Sequence, residues 1–257
     1  MFRRMPSRPA YVASDQHLGV GPPEMEGAFL RWLEFAAEHA GTIVLNGDLF
    51  DFWFEWGAVI PRGHARVLGA LRGIVDRGVS VHLFGGNHDW WGGSFLTDEI
   101  GVTLHPGAAR MELAGRSALV AHGDGLGRGD LGYRVLRGIL RSRPARWGFR
   151  WIHPDLGTKL ARAVSRTDIR EPAGGRADGQ RLRSEQLERW ARDRLLEDEG
   201  LDMVLLGHTH LPRMVEVAPG RFYLNSGDWL THASYLVIET GSAPRLERWN
   251  SGLPKEG

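Results

Sequence analysis

Cysteine is absent from the 257 residues, which excludes disulfides, thiolate zinc sites and cysteine nucleophiles and fits a reducing compartment. Long apolar runs are missing as well: no stretch approaches the roughly 18 residues of a membrane-spanning helix. Arg3, Arg4 and Arg8 open the chain without an apolar h-region behind them, so no signal peptide is expected. Lysine is nearly absent, since 30 of the 32 basic residues are arginine. No internal repeat or low-complexity segment stands out. What remains is ordinary for a soluble protein, with 42% hydrophobic and 25% charged residues. The length suits one large α/β domain, or one domain carrying an insertion. The expected location is the cytoplasm, with contact to a membrane surface as an option.

The net charge of +1 hides an asymmetry. Residues 128–194 hold 17 Lys/Arg against 8 Asp/Glu, a local excess of +9, while the rest of the chain carries −8. Such a segment suits an anionic partner, or else a solvated helical face in an arginine-rich chain.

Strand and helix signals alternate through the first half, which argues for an α/β sheet. Short apolar or β-branched runs at 9–13, 42–45, 79–84, 117–121 and 203–206 predict strands, and 214–217, 222–224 and 235–238 predict closing antiparallel strands. Phe29, Leu30, Leu33 and Ala37, then Val67, Leu68, Leu71 and Ile74, recur at helical spacing. From about 125 to 200 the alternation stops. Helices are predicted over 131–140, 156–164 and 186–196, with aromatics at 147–152 between the first two and a loop at Pro172-Ala173-Gly174-Gly175. Residues 1–127 and 171–257 then form the core, and 128–170 an inserted helical cap.

Five polar motifs each follow one of the predicted strands. They are Asp15-Gln16-His17, Gly47-Asp48-Leu49-Phe50-Asp51, Gly86-Asn87-His88-Asp89, His122-Gly123-Asp124 and Gly207-His208-Thr209-His210. In open α/β sheets, ligands bind beyond the carboxyl ends of the strands, where loops bring distant residues together. Asp, Asn and His are ligands for manganese, iron or zinc. Any one histidine is usually a core or turn residue, but five of the eleven fall inside these motifs. Asp15 and His17, like His208 and His210, are spaced so that both side chains can point one way. Asp48 is the natural bridging carboxylate. Asp51, Asp89 and Asp124 either orient neighbouring ligands or serve ordinary turns.

The set resembles the calcineurin-like metallophosphoesterase superfamily over most of the chain outside the cap. That resemblance implies two packed mixed sheets flanked by helices, an α/β fold with metals at the strand ends. It implies two divalent ions, manganese in the first place with iron or zinc as options. Asp15, His17, Asp48 and His210 would hold one ion, and Asp48, Asn87, His122 and His208 the other. A water activated between the ions would attack phosphorus in line. His88, paired with Asp89, would serve as general acid or stabilise developing charge.

The stretch Asp48 to Trp53, His122 to Gly125, Asp130 with Tyr133, and the basic cap are similar to the UDP-2,3-diacylglucosamine pyrophosphatases of lipid A synthesis. This narrower likeness implies cleavage of UDP-2,3-diacylglucosamine to UMP and 2,3-diacylglucosamine 1-phosphate, next to the inner membrane. Asp130 and Tyr133 would contact the glucosamine and Arg166 a phosphate. Trp151, with Trp147, Phe149, Ile152 and Leu156, would line an acyl groove or else pack the cap onto the body. His88 departs from that family, whose well-characterised members carry arginine there. It keeps open a phosphodiesterase or phosphatase acting on another lipid or nucleotide, because an alkoxide leaving group gains more from an acid than a phosphate does. A metal-bearing scaffold without turnover is the alternative from another class. Nucleic acid is not an expected partner, given the aromatic cap.

Overall fold

The computed structural model describes residues 8–127, 131–165 and 173–250. Asp130 and Arg166 lie outside the described residues. Two sheets pack face to face. The first has the order β11 (Arg245–Arg248), β10 (Ser234–Ile238), β1 (Ala10–Ala13), β2 (Thr42–Asn46), β3 (Ser80–Phe84) and β4 (Thr103–His105). The second has the order β5 (Ala109–Leu113), β6 (Arg116–Val120), β7 (Met203–Leu206), β9 (Arg221–Asn225) and β8 (Arg213–Ala218).

Alternation along the strands sorts the core into layers. Val12, Val44 and Phe84 from the first sheet meet Val120, Leu205 and Leu224 from the second. Residues on the outer face of the first sheet, such as Ile43, Leu45 and Val81, pack under α1 (Pro23–His39) and α2 (Ala65–Asp76). Val204, Leu206 and Tyr223 pack under Leu187, Ala191 and Leu195 of α6 (Ala173–Glu197). The expected pair of mixed sheets flanked by helices is therefore present.

Parallel pairing matters most for the site. β1, β2 and β3 run parallel, as do β6, β7 and β9, so their carboxyl ends lie together on each sheet.

The basic segment forms α3 (Leu131–Leu140), α4 (Arg143–Arg150) and α5 (Pro154–Ser165). The aromatic stretch at 147–152, expected between two helices, mostly lies in α4. Pro144 sits in its first turn and the Ser142 hydroxyl accepts from Ala145 N, so a local start signal outweighs the short length. The loop expected at Pro172 to Gly175 is overturned from residue 173 onward, because α6 begins at Ala173, while Pro172 lies outside the described residues. Gly174 and Gly175 occupy its first turn, where amides have no intrahelical acceptor and glycine costs little. The short strands β4, β5 and β11 and a π-helical turn at Phe95–Ile100 were not visible in the sequence pattern.

Candidate metal centre

Every one of the five motifs begins within three residues of a strand end, and the backbone there is unusual. Asp15, His17, Asp48, His208 and His210 all have positive φ, between 46° and 68°. Left-handed backbone at a non-glycine residue costs on the order of 1–3 kcal/mol and persists only where surroundings enforce it. Here the enforcement is mutual. Asp15 N donates to Gly47 O at 3.0 Å, His17 N to Asp48 O at 2.9 Å, and Gly207 N to His122 O at 2.7 Å. His208 N points at both Asp15 carboxylate oxygens, each at 3.1 Å. Gly47 is required for a steric reason, since a Cβ there would lie 2.3 Å from His122 Nδ1.

These contacts bring together Asp15, His17, Asp48, Asn87, His88, His122, His208 and His210. Ligand atoms of Asp15, His17 and His210 fall within 4.8 Å of one another, as do those of Asp48, His122 and His208. Asp48 links the two groups: its Oδ2 is 3.1 Å from His122 Nε2 and 3.9 Å from His17 Nε2. His17 Nε2 and His210 Nε2 face each other at 3.3 Å. Asn87 Oδ1 is buried with no hydrogen-bond partner among the described residues. Convergent imidazoles, carboxylates and an unsatisfied amide oxygen, with no thiolate, fit divalent cations of the manganese, iron or zinc type.

Further residues orient the donors. His122 Nδ1 donates to Asn46 O at 3.0 Å, which presents Nε2 to Asp48. His210 Nδ1 lies 3.4 Å from Asp228 Oδ2, and Asp228 Oδ1 takes His232 Nδ1 at 2.9 Å. Asn225 Nδ2 donates to Gly207 O and Thr209 Oγ1, and Gln180 Nε2 from α6 donates to Thr209 O at 2.7 Å. Sequence reasoning passed over all five of these supporting residues. Asp228 was within reach, because Asn225-Ser226-Gly227-Asp228 ends β9 just as Asn46-Gly47-Asp48 ends β2.

The electrostatics follow from burial and neighbours. Burial pushes the Asp15 carboxyl up and the His17 ring down to about 3. Burial also lowers His208, helped by the charge of His122. For His210, burial opposes the proton but the Asp15 and Asp228 carboxylates outweigh it and raise the pKa to about 9. His122 is likewise held protonated by Asp48 despite its burial, and its charge keeps Asp48 ionised. Before metal binds, the centre therefore stores protons on the imidazoles nearest its carboxylates.

The expected pairing of His88 with Asp89 is corrected. His88 Nδ1 donates to Asp51 O at 2.9 Å, and Asp51 Oδ1 lies 3.6 Å away. Both Asp89 oxygens are occupied by main-chain amides: Oδ1 by Gly86 and Asp48, Oδ2 by Leu49 and Phe50. A carboxylate satisfied by four amides braces two loops and has no oxygen left to orient a ring. Asp124 Oδ2 accepts from Arg141 Nη2 at 2.9 Å and from the Tyr133 hydroxyl at 3.4 Å, and Arg137 Nε lies 2.8 Å away as an ion-pair contact. Tyr133 is thereby placed at the rim of the donor set.

The aromatics of α4 divide. Phe149 packs with Phe52, Phe54, Trp56 and Trp91. Trp147 is 67% exposed and Trp151 75% exposed, their rings edge to face. Trp151 is not brought to the donor atoms. A cleft of about 510 Å³ runs from Leu18 and Asp51 past Phe52, Trp56 and Ile60 to Thr158 of α5.

The calcineurin-like phosphoesterase family matches residues 9–212. The chain is 33% identical to UDP-2,3-diacylglucosamine hydrolase of Porphyromonas gingivalis, over 88% of this chain and 92% of the relative. It is 32% identical to the protein of that name in Aeromonas salmonicida, over 91% of each, and 31% identical to that of Pseudomonas putida, over 85% of this chain and 90% of the relative.

Proposed function

The chain belongs to the calcineurin-like phosphoesterase family of metal-dependent phosphoester hydrolases, and from that premise we propose that it cleaves UDP-2,3-diacylglucosamine to UMP and 2,3-diacylglucosamine 1-phosphate with two divalent ions, manganese first among them. The observation that carries the two-ion reading is the position of Asp48, whose Oδ2 lies near imidazoles of both donor groups. The substrate rests on the relatives' shared name and on the apolar and basic character of the helical segment.

Asp15, His17, Asp48 and His210 would hold one ion, and Asp48, Asn87, His122 and His208 the other. When bound, such a pair acidifies a water and offsets phosphoryl charge. The chain's own residues do the rest. His88 N donates to Asp48 Oδ1 at 2.9 Å and keeps that carboxylate in place. Residues 128–170 act as a lid, with the Trp56 indole tied to Ile152 O at 3.1 Å and the cleft beneath α5 open to acyl chains. Asp130, Tyr133, Arg166 and Trp151 are the proposed substrate contacts of that lid. Val135, Ile139, Trp147 and Trp151 are exposed beside Arg143, Arg146 and Arg150, a surface suited to the anionic cytoplasmic leaflet of the inner membrane. No described helix is long and apolar enough to cross a membrane.

The test is manganese-dependent release of UMP from UDP-2,3-diacylglucosamine, abolished by chelation and by Asp48→Ala. No release, with turnover of bis-p-nitrophenyl phosphate intact, would favour the second reading, a phosphodiesterase. One observation supports that reading. Burial works against a charged His88, but Asp48 and the Asp51 carbonyl outweigh it and raise its pKa, so the ring keeps a proton for an alkoxide.

A further inference from the structure

Helix α3 and the residue that follows it deliver two guanidinium groups to the rim of the donor set. Arg141 Nη2 donates to Gly86 O at 3.0 Å and to Asp124 Oδ2 at 2.9 Å. Arg137 Nε reaches the same carboxylate oxygen at 2.8 Å. Gly86 precedes Asn87, and Asp124 follows His122 by two residues. Arg141 therefore bridges the loops of the two sheets where their donors converge. Its guanidinium lies over Trp90, 5.2 Å from the ring centroid, which fixes the plane of the fork. Its Nε–H, on the same edge as Nη2, is buried and has no partner among the described residues.

One carboxylate facing two half-buried guanidiniums leaves an excess of one positive charge within that cluster. Burial penalises that charge and pushes Arg141 down from its usual range. A guanidinium with an unused donor beside a phosphoryl site is suited to an anion that arrives with the substrate.

We propose that Arg141, seconded by Arg137, binds the phosphate released when the anhydride is cleaved. The assignment rests on the phosphoanhydride reading above. In that reaction the water oxygen bonds to phosphorus and the bond from that phosphorus to the bridging oxygen breaks. Its electron pair stays on the bridging oxygen, which leaves as part of the second phosphate; one water proton stays on the new phosphate hydroxyl and the other passes to solvent. The leaving phosphate thus gains negative charge as the bond breaks. A fixed guanidinium beside it stabilises that charge more in the transition state than in the bound substrate. A simple phosphodiester has no second phosphate and draws less on Arg141.

The experiment compares Arg141→Ala, Arg141→Lys and the parent on UDP-2,3-diacylglucosamine and on bis-p-nitrophenyl phosphate, with bound manganese counted for each. For Arg141→Ala the ratio of anhydride to diester kcat/KM is expected to fall on the order of 100-fold, as for loss of one transition-state donor. Arg141→Lys should recover part of the ratio, because it restores the charge without the fork. An unchanged ratio, with both activities falling together alongside metal content, would mean that Arg141 only holds the loops and would overturn the assignment. If the alanine protein does not fold, the ratios in Arg141→Lys and Arg137→Ala decide in the same way. A parent protein that turns over the diester but not the anhydride would overturn the substrate reading itself, and this assignment with it.

Discussion

Asp228 sits between two imidazoles and, with His232 already on one oxygen, turns the other toward His210. Asparagine would keep its volume but lose the charge that fixes the His210 tautomer. Asp228→Asn is expected to weaken manganese binding about 10- to 100-fold, as for other carboxylate partners of metal-binding histidines. Calorimetric titration of metal-free protein checks this, and unchanged affinity would reject the role. His210 also sets a pH dependence. Its pKa of about 9 in the metal-free protein means that a proton must leave before the ring can bind metal. Below pH 9 affinity should therefore fall as pH falls, by about tenfold per unit for each proton displaced. Titrations at two pH values read the slope; affinity that rises with acid would contradict it.

Asp89 belongs to the scale of elements, because it joins the loops that leave β2 and β3. Its four amide contacts are buried, and removing the carboxylate strands those donors. Asp89→Ala is expected to lower unfolding free energy on the order of 3 kcal/mol, since each buried unsatisfied group costs about 1–3 kcal/mol and some relaxation occurs. Urea unfolding measures it. Loss of activity without loss of stability would restore Asp89 to a role beside His88. The sequence could not separate these roles, since an Asp after a His reads the same in both. What it did disclose was the grammar of strand, glycine and polar residue, which located Asp15, Asp48, Asn87, His122 and His208. Arg137 and Arg141 were invisible for a different reason: in an arginine-rich helix, nothing local distinguishes the two that turn inward. The helix at 143–150 was likewise obscured, because two turns are too short for helical periodicity to stand out from the surrounding aromatics and arginines.

At the scale of the whole molecule, the donors come from both sheets, with Asp15, Asp48 and Asn87 on one and His122, His208 and His210 on the other. Metal held by the proposed ligands would cross-link the sandwich and favour the folded state. Manganese at about 1,000 times its Kd should add about 4 kcal/mol of stability. Chelation should therefore lower Tm reversibly, and scanning calorimetry with and without chelator tests this. Because those donors span residues 15 to 210, their assembly depends on long-range pairing rather than local propensity, and short-range patterns could only imply it.

The antiparallel pairing of β1 with β10 ties the first strand of the molecule to residues 234–238. A growing polypeptide that has already made every proposed ligand still leaves β1 without one neighbour until that late strand emerges. The strand that leads into Asp15 is therefore framed on both sides only once a segment far along the chain has paired with it. Without β10, β1 would become an open sheet edge, a template for pairing with other chains.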